Sequence, residues 1–499
     1  MSGSDDSSPS TPSRWRSPHL WVSSTYFAEG FPYSVIHSLA EILFKEMGAS
    51  LQAIGLTSLF HLPWNLKFLW GPFLDGFATK RRWLIWTEVA LSLLLLLLAF
   101  ATTLDHILGI ASVIFVAMAF IAATHDIAID GYYLEALDED AQSRFVGYRA
   151  TAYKMAMMIV SGPLVLLIAG VGWFVGILVT AGIFGIVLAY HWRFLPRAEH
   201  EKRPIQELLR ALFQLRVLAL AAAVALVIAG IRTWLQTDLH VALSSGLEEL
   251  APWLFRVSLS GWIGLLLLLL LTSTLLALGP IRRRIAQKDS FYARAFVDFL
   301  EQAQVGRILA FVVLFRAGES FLVKMRYPFL RDAGMSMAEY GFASGTVGII
   351  FSFIGTLLGG HLIAKHSLRR WIWPFVISQN VLNLLFAGLA WHLAANPGAE
   401  INLTMLTAII SIESLGSGLG TAVFMVYLMR CCRPDFKAAH MAIVTALMSV
   451  SFTLAGVCSG FLAEWMGFGN YFAFSFLATI PGMALIFFIP HLDKHPASA

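Results

Sequence analysis

Thr124-His125-Asp126-Ile127-Ala128-Ile129-Asp130-Gly131-Tyr132-Tyr133-Leu134-Glu135-Ala136-Leu137 follows a run, Ile107 to Ala123, that contains no charged residue. A hydrocarbon core of ~30 Å takes about 20 helical residues to cross, so the run and its polar continuation read as one membrane helix that ends in acids. On that helix Asp126 and Asp130 lie one turn apart and share a face with Tyr133. Two carboxylates so placed repel when both are ionised, which makes them candidates to hold a proton. A bare charge in the bilayer costs roughly 2.5–3.5 kcal/mol on insertion scales unless it meets a partner or a wet cavity. Two readings stand at this point: the acidic face lines a water-accessible path, or the acids sit at the cytoplasmic end of the helix, where water and the turn Asp138-Glu139-Asp140 satisfy them.

The whole chain has the same character. Of 499 residues, 58% are hydrophobic and 13% charged, against about 45–50% and about 25% in soluble proteins. The expectation is an all-α polytopic membrane protein in contact with lipid. The formal charge of +4 is small; the positions of Lys and Arg carry the information, and nothing suggests nucleic acid as a partner. Cys431, Cys432 and Cys458 fit neither a disulfide framework nor a metal-ligand spacing, so no metal or cofactor is expected. Residues 1–19 read as a disordered cytoplasmic tail, and the start of the chain lacks the pattern of a cleavable signal peptide.

Residues 20–195 divide into six apolar segments. The first, Leu20 to Phe44, places Tyr26, Glu29, Tyr33 and His37 on one face, with Gly30 and Pro32 marking a kink. Glu29 either lines the path or hydrogen-bonds a neighbouring helix. The second, Leu51 to Asp75, contains Lys67. In the fifth, Arg149 and Tyr153 are one turn apart beside Lys154; the two cations pair with the fourth-span acids, meet an anionic substrate, or snorkel at the helix end. Residues 307–490 hold a second group of six. Its seventh span carries Arg316 and Glu319, an internal pair or a lining pair, followed by Lys324; its tenth carries Glu413 beside Gly416, Gly418 and Gly420, small residues that let helix backbones approach.

Between the groups, residues 196–306 hold two more apolar runs, Val217 to Ile231 and Val257 to Leu278, basic on their outer flanks and acidic between. That pattern reads as an inserted transmembrane hairpin, for a total of about fourteen spans. The loop charges put both termini in the cytoplasm, including the tail 491–499. Motifs of metal, phosphate-loop or nucleophile-elbow chemistry are absent, so the chain does not read as an enzyme. Two halves of six spans suit an alternating-access carrier.

Lys67-Phe68-Leu69-Trp70-Gly71-Pro72-Phe73-Leu74-Asp75-Gly76, with Lys80-Arg81-Arg82 after it, resembles the loop signature of the major facilitator superfamily. The resemblance implies that Asp75 latches neighbouring helices and that Asp75 and Arg81 take part in gating, although Gly76 stands where that family has Arg or Lys. Together with Asp126 to Asp130 and with Gly418-Leu419-Gly420-Thr421-Ala422-Val423-Phe424, the pattern is similar to the AmpG-type muropeptide permeases and their acetyl-coenzyme A transporter relatives. That resemblance covers both six-span groups but not the central hairpin. It implies a major facilitator fold of two six-helix bundles and proton-driven import, across a bacterial inner membrane, of anionic sugar-peptides from cell-wall turnover. Asp126, Asp130 and Glu29 would then couple protons. Candidate substrate groups are Lys67, Arg149, Lys154, Arg316 and Lys324, with Glu319, Glu413 and the rings of Tyr26, Tyr33, Tyr133 and Tyr153. The alternatives are a carrier for another anionic solute, such as a peptide, siderophore or nucleotide conjugate, and a non-transporting sensor or scaffold on the same fold.

Overall fold

The computed structural model describes residues 14–67, 70–197, 204, 206–207, 259–277, 283, 291–398, 402–433 and 436–493. Helix α1 (Pro18–Ser34) begins with a proline in its first turn, where an N–H has no intrahelical acceptor to lose. The kink expected at Gly30 and Pro32 takes the form of a widened π-helical stretch, Val35–Leu39, just beyond the proline, before α2 (Ala40–Glu46) resumes the path. The second span is built from short pieces: α3 (Leu51–Leu56), α4 (Leu62–Leu66) and α5 (Gly71–Gly76).

Longer helices follow, two of them started by a side-chain oxygen that caps a free backbone N–H. Thr79 caps α6 (Lys80–Ala101) and Asp138 caps α8 (Glu139–Ile159), with α7 (Ile107–Ala136) between them. A second π stretch, Val160–Leu164, leads to α9 (Val165–Val171), and Gly172, at φ +84°, turns the chain into α10 (Trp173–Phe194). In the central region Val217 to Ile231 lies outside the described residues, while the later apolar run forms α11 (Leu259–Leu276).

The last part comprises α12 (Phe291–Leu300), α13 (Val305–Leu314), α14 (Ala317–Asp332), α15 (Met337–Tyr340), α16 (Ile349–Lys365), α17 (Leu368–Val381), α18 (Asn383–Ala395), α19 (Leu403–Arg430), α20 (Lys437–Leu477) and α21 (Ile480–Leu485). Ser336 and Glu339 form a reciprocal capping box at α15, and Asn402 caps α19. Within α20, Gly467 leaves helical geometry at φ +74°, between the two segments that the sequence separates as its last spans.

Among the described residues, eight helical stretches are long and apolar enough to cross a bilayer. The first, second and seventh expected spans are instead assembled from shorter helices, broken by the π turn after Pro32, by the turn Thr57–His61 and by the non-helical Arg316. Large apolar side chains such as Val113, Ile186 and Phe487 are more than 70% exposed, which fits a lipid-facing surface. The protein is an integral membrane protein.

The chain packs as two compact units, one formed by Met1–Ile36, Lys67–Val160 and Val171–Ile205, the other by His37–Leu66, Ser161–Gly170 and Gln206–Ala499. In the first, Trp21, Tyr26, Leu84, Ile129, Tyr132 and Phe145 form a continuous core where α1, α6, α7 and α8 meet. In the second, Phe311, Phe315, Phe375, Phe424 and Tyr427 do the same for α13, α17 and α19.

The tenth-span glycines have the packing role open to small residues. A Cβ on Gly418 would stand 2.2 Å from the Ser352 carbonyl, and one on Gly355 would stand 2.3 Å from that of Leu415, so α16 and α19 cross at backbone distance. Gly418→Leu is therefore expected to destabilise the protein by about 3 kcal/mol or more, through forced separation of the two helices. Gly360→Leu, where a Cβ has open space, is the control, and the yield of monodisperse protein in detergent is the measurement.

Candidate functional site

The first unit gathers most of the fourth-span chemistry around α7. Asp126 is 7% exposed and forms an ion pair with Lys67. Trp70 Nε1 donates to Thr124 Oγ1 at 3.1 Å, tying the segment that carries Lys67 to the same helix. One turn further on, Asp130 Oδ1 accepts from Tyr26 Oη and from Arg149 Nη2, both at 2.7 Å. The Arg149 guanidinium also lies 4.2 Å from the centre of the Tyr26 ring and 4.5 Å from that of Tyr133, so two aromatic faces hold the cation that faces Asp130. Tyr133 itself is buried and donates its hydroxyl to the Gln142 carbonyl. Glu29, on α1, lies within electrostatic reach of Asp126, Asp130 and Lys67, and its Oε2 is buried without a hydrogen-bond partner.

Close helix crossing makes this assembly possible. A Cβ on Gly30 would be 2.7 Å from the Tyr153 carbonyl, so α1 and α8 touch along their backbones beside the acids. Tyr33 and Tyr153 face each other with ring centres 5.9 Å apart, and Lys154 is half-buried next to them. Arg149 thus takes the role of partner to a fourth-span acid, one of the roles its position in the sequence left open.

The two residues that the resemblance assigns to gating, Asp75 and Arg81, have separate partners. Asp75 pairs with Lys80 at 2.5 Å. Arg81 donates to the backbone carbonyls of Trp192 at 2.9 Å and Leu195 at 3.0 Å, at the C-terminal end of α10, where carbonyls lack intrahelical donors and favour a cation. Asp75 and Arg81 therefore contact different partners.

The second unit carries its own buried polar set. Glu319 accepts from Arg316 Nη2 and from Gln379 Nε2, each at 2.7 Å, and from the Ser417 hydroxyl. Arg316 and Glu319 are thus the internal pair that their spacing allowed, but one held by two further helices. Glu413, 3% exposed, pairs with Arg326 at 2.9 Å. Lys324 donates to Thr57 Oγ1 at 2.7 Å and lies 3.5 Å from Glu41. Nearby, Glu46 accepts from Tyr327 Oη at 2.6 Å and Arg331 Nε at 2.5 Å.

No family model matches the chain. It is 24% identical over 468 residues to the anhydromuropeptide permease of Escherichia coli K12, covering 92% of this chain and 77% of that protein. An uncharacterized protein of Haemophilus influenzae is 25% identical over 480 residues, 94% of each chain. The putative transporter AmpG 4 of Rickettsia felis is 20% identical over 92% of this chain and 93% of its own. Among solved structures, a POT family transporter in complex with 5-aminolevulinic acid superposes with a TM-score of 0.64 at 12% identity, covering 95% of this chain and 96% of that one. The chain is similar to the AmpG-type permeases along most of its length and shares the fold of the POT family transporters.

Some candidate residues escaped sequence reasoning. Gln379 and Ser417 complete the Glu319 site, and Glu41 and Glu46 complete the basic face of α14, while Arg326, a lining candidate of the seventh span by sequence, meets Glu413. Gly420 gave a partial signal for Gln379, because a Cβ there would collide with the Gln379 amide. Ser417, Glu41 and Glu46 lie far from their partners in sequence and had none.

The Asp130–Arg149 contact is half-exposed, with 46% and 31% of the side chains accessible, so its worth is modest. A double-mutant cycle of Asp130→Asn and Arg149→Met, read from thermal unfolding in detergent, is expected to give a coupling of about 1 kcal/mol, while Arg149→Lys keeps the charge and loses the planar stacking. A coupling near zero would show that the pair does not position the site.

Proposed function

We propose that this protein is a proton-coupled secondary transporter that imports cell-wall-derived anhydro-muropeptides across a bacterial inner membrane by alternating access. The observation that carries the proposal is the set of charges around α7: among the described residues, Glu29, Asp126 and Asp130 share the ion pairs of Lys67 and Arg149. A third negative charge in a low-dielectric interior is expensive, and a proton on one of the acids neutralises it. The unpartnered Glu29 Oε2 is where that proton finds an open oxygen. A carboxylate of the cargo that docks on Arg149 or Lys67 competes with Asp130 or Asp126 for the cation, and so ties occupancy by cargo to occupancy by protons. The second unit offers Arg316, Arg326 and Lys324 to the same kind of anionic cargo, each released when its acid takes a proton.

In this reading residues 20–195 and 307–490 are the two functional halves, 196–306 are linkers with an accessory hairpin, and both termini face the cytoplasm. The cargo is supported by the likeness to the anhydromuropeptide permease across 92% of the chain. A second reading, a carrier for another anionic solute, is favoured by the POT neighbours, one of them in complex with sulfate at a TM-score of 0.61 and another with 5-aminolevulinic acid.

Uptake of radiolabelled anhydro-muropeptide into inverted and right-side-out vesicles, with the proton gradient imposed and collapsed, tests the proposal. Gradient-driven uptake is expected to fall at least about tenfold, the equivalent of ~1.4 kcal/mol, in Asp126→Asn and in Glu29→Gln at unchanged protein level. Exchange without a gradient should survive in Glu29→Gln. Uptake by wild type that ignores the gradient would remove the coupling, competition by peptides or nucleotides alone would favour the second reading, and no transport of any of these would leave a sensor or scaffold.

A further inference from the structure

The first unit contains a buried ionisable cluster that the proposed cycle does not use. Glu88 on α6, His125 on α7 and His191 on α10 are each 0% exposed. His191 Nδ1 lies 2.6 Å from Glu88 Oε1, and His125 Nε2 lies 3.4 Å from the same oxygen. Beyond the first histidine, His191 Nε2 is 2.9 Å from Ser24 Oγ on α1. Ser24 Oγ also lies 3.2 Å from the Trp21 carbonyl, and its hydroxyl proton can turn to either acceptor. His191 thus bridges the Glu88 carboxyl and the Ser24 hydroxyl, one through each ring nitrogen.

Among the described residues Glu88 pairs with two imidazoles and with no lysine or arginine. The charge of a Glu88 carboxylate is therefore balanced by a proton within the three-residue cluster, because a buried carboxylate without a partner is strongly destabilising. A proton leaving one imidazole has to be received by another group of the same cluster. The second imidazole is placed to receive it: both ring nitrogens of His125 and the Glu88 Oε2 are buried without hydrogen-bond partners. A histidine kept only for packing would have its nitrogens satisfied. The other polar groups nearby are accounted for. Arg81 is spent on carbonyls at the end of α10, the hydroxyl of Tyr190 goes to the Trp15 carbonyl, and Asp126, the next residue after His125, is paired with Lys67 but feels the charge of His125. Phe184 packs against the remaining side of the His125 ring.

We propose that Glu88, His125 and His191 form a second proton-binding site, in which one proton is exchanged between two imidazoles across a fixed carboxylate. In the exchange the N–H bond at His191 Nδ1 breaks, Glu88 Oε1 carries the proton across, and an N–H bond forms at His125 Nε2. The carboxylate ends as it began, and the positive charge has moved to the residue adjoining Asp126. Occupancy of this site thereby biases occupancy of the Glu29–Asp126 pair. The proposal rests on the proton-coupled reading above only for its use in transport, not for its existence.

The detergent-purified full chain, titrated from about pH 8 to about pH 5, the interval in which imidazoles charge, should bind about one proton per molecule more than the triple variant Glu88→Gln/His125→Gln/His191→Gln, whereas two independent imidazoles would give a difference of about two and overturn the sharing. His125→Gln gives up only the 3.4 Å contact with Glu88 and leaves the 2.6 Å contact of His191 in place, so it is expected to fold as wild type does, and it keeps the falsifying power if the triple variant does not accumulate. In vesicles His125→Gln should displace the pH optimum of gradient-driven uptake by about one unit, a tenfold change in proton affinity, with the protein level unchanged. A wild-type titration curve and an unshifted pH profile in His125→Gln would overturn the site. If wild-type vesicles take up no muropeptide while the difference in bound protons persists, the cargo assignment falls and the proton site stands.

Discussion

A carboxylate inside a hydrocarbon layer stays there only if a cation or a proton accompanies it, and that requirement organises both units of this protein. Around α7 the accompaniment is Lys67 for Asp126 and Arg149 for Asp130, the latter steadied by two tyrosine rings. In the second unit it is Arg316 for Glu319, Arg326 for Glu413 and Lys324 for Glu41. Glu88 is the exception in kind, since its companions are imidazoles whose charge depends on pH. Apart from the local Arg316–Glu319 pair, these pairs tie together segments that apolar packing alone would hold loosely, because in lipid the surroundings of a helix are as apolar as its neighbours.

Bringing such partners together demands that helices approach closely, and the chain meets that demand with small residues rather than with stronger apolar contacts. At Gly30 the backbone of α8 lies where a side chain would be, and at Gly355 and Gly418 the backbones of α16 and α19 do the same to each other. Packing and charge placement are therefore one design. A helix pair pushed apart by a methyl group would also pull a buried acid away from its cation. The irregular π stretches at Val35–Leu39, Val160–Leu164 and Gly341–Gly348 occur in spans that contribute to these contacts, in keeping with the tendency of such bulges to fall at working parts of helices.

Much of this was legible in the chain because intramembrane charge is rare enough to stand out. Asp126, Asp130 and Glu29 interrupt apolar periodicity, and the turn-apart spacing of Arg316 and Glu319 announces a local pair that the structure contains. The apolar runs and the basic loops gave a helical membrane protein, and the separated motifs gave the relationship that similarity across both halves supports. Residues whose chemistry depends on a distant partner were not legible. Gln379 and Ser417 look like ordinary polar residues in apolar helices until Glu319 is set between them, and His125 and His191 look scattered until α6 places Glu88 against both.

What the sequence determined by itself was local: which stretches are helical, which faces are polar, and where an acid must find company, all of which follow from the period of the helix and the price of charge in lipid. Only the tertiary structure decided whose company. Asp75 takes Lys80, and Arg81 turns to the free carbonyls at the end of α10. Arg149 takes Asp130 and not Asp126, because the rings of Tyr26 and Tyr133 fix its guanidinium one turn further along. Partner choice turns on distances of a few ångströms between helices remote in sequence, and helical periodicity contains no information about those distances.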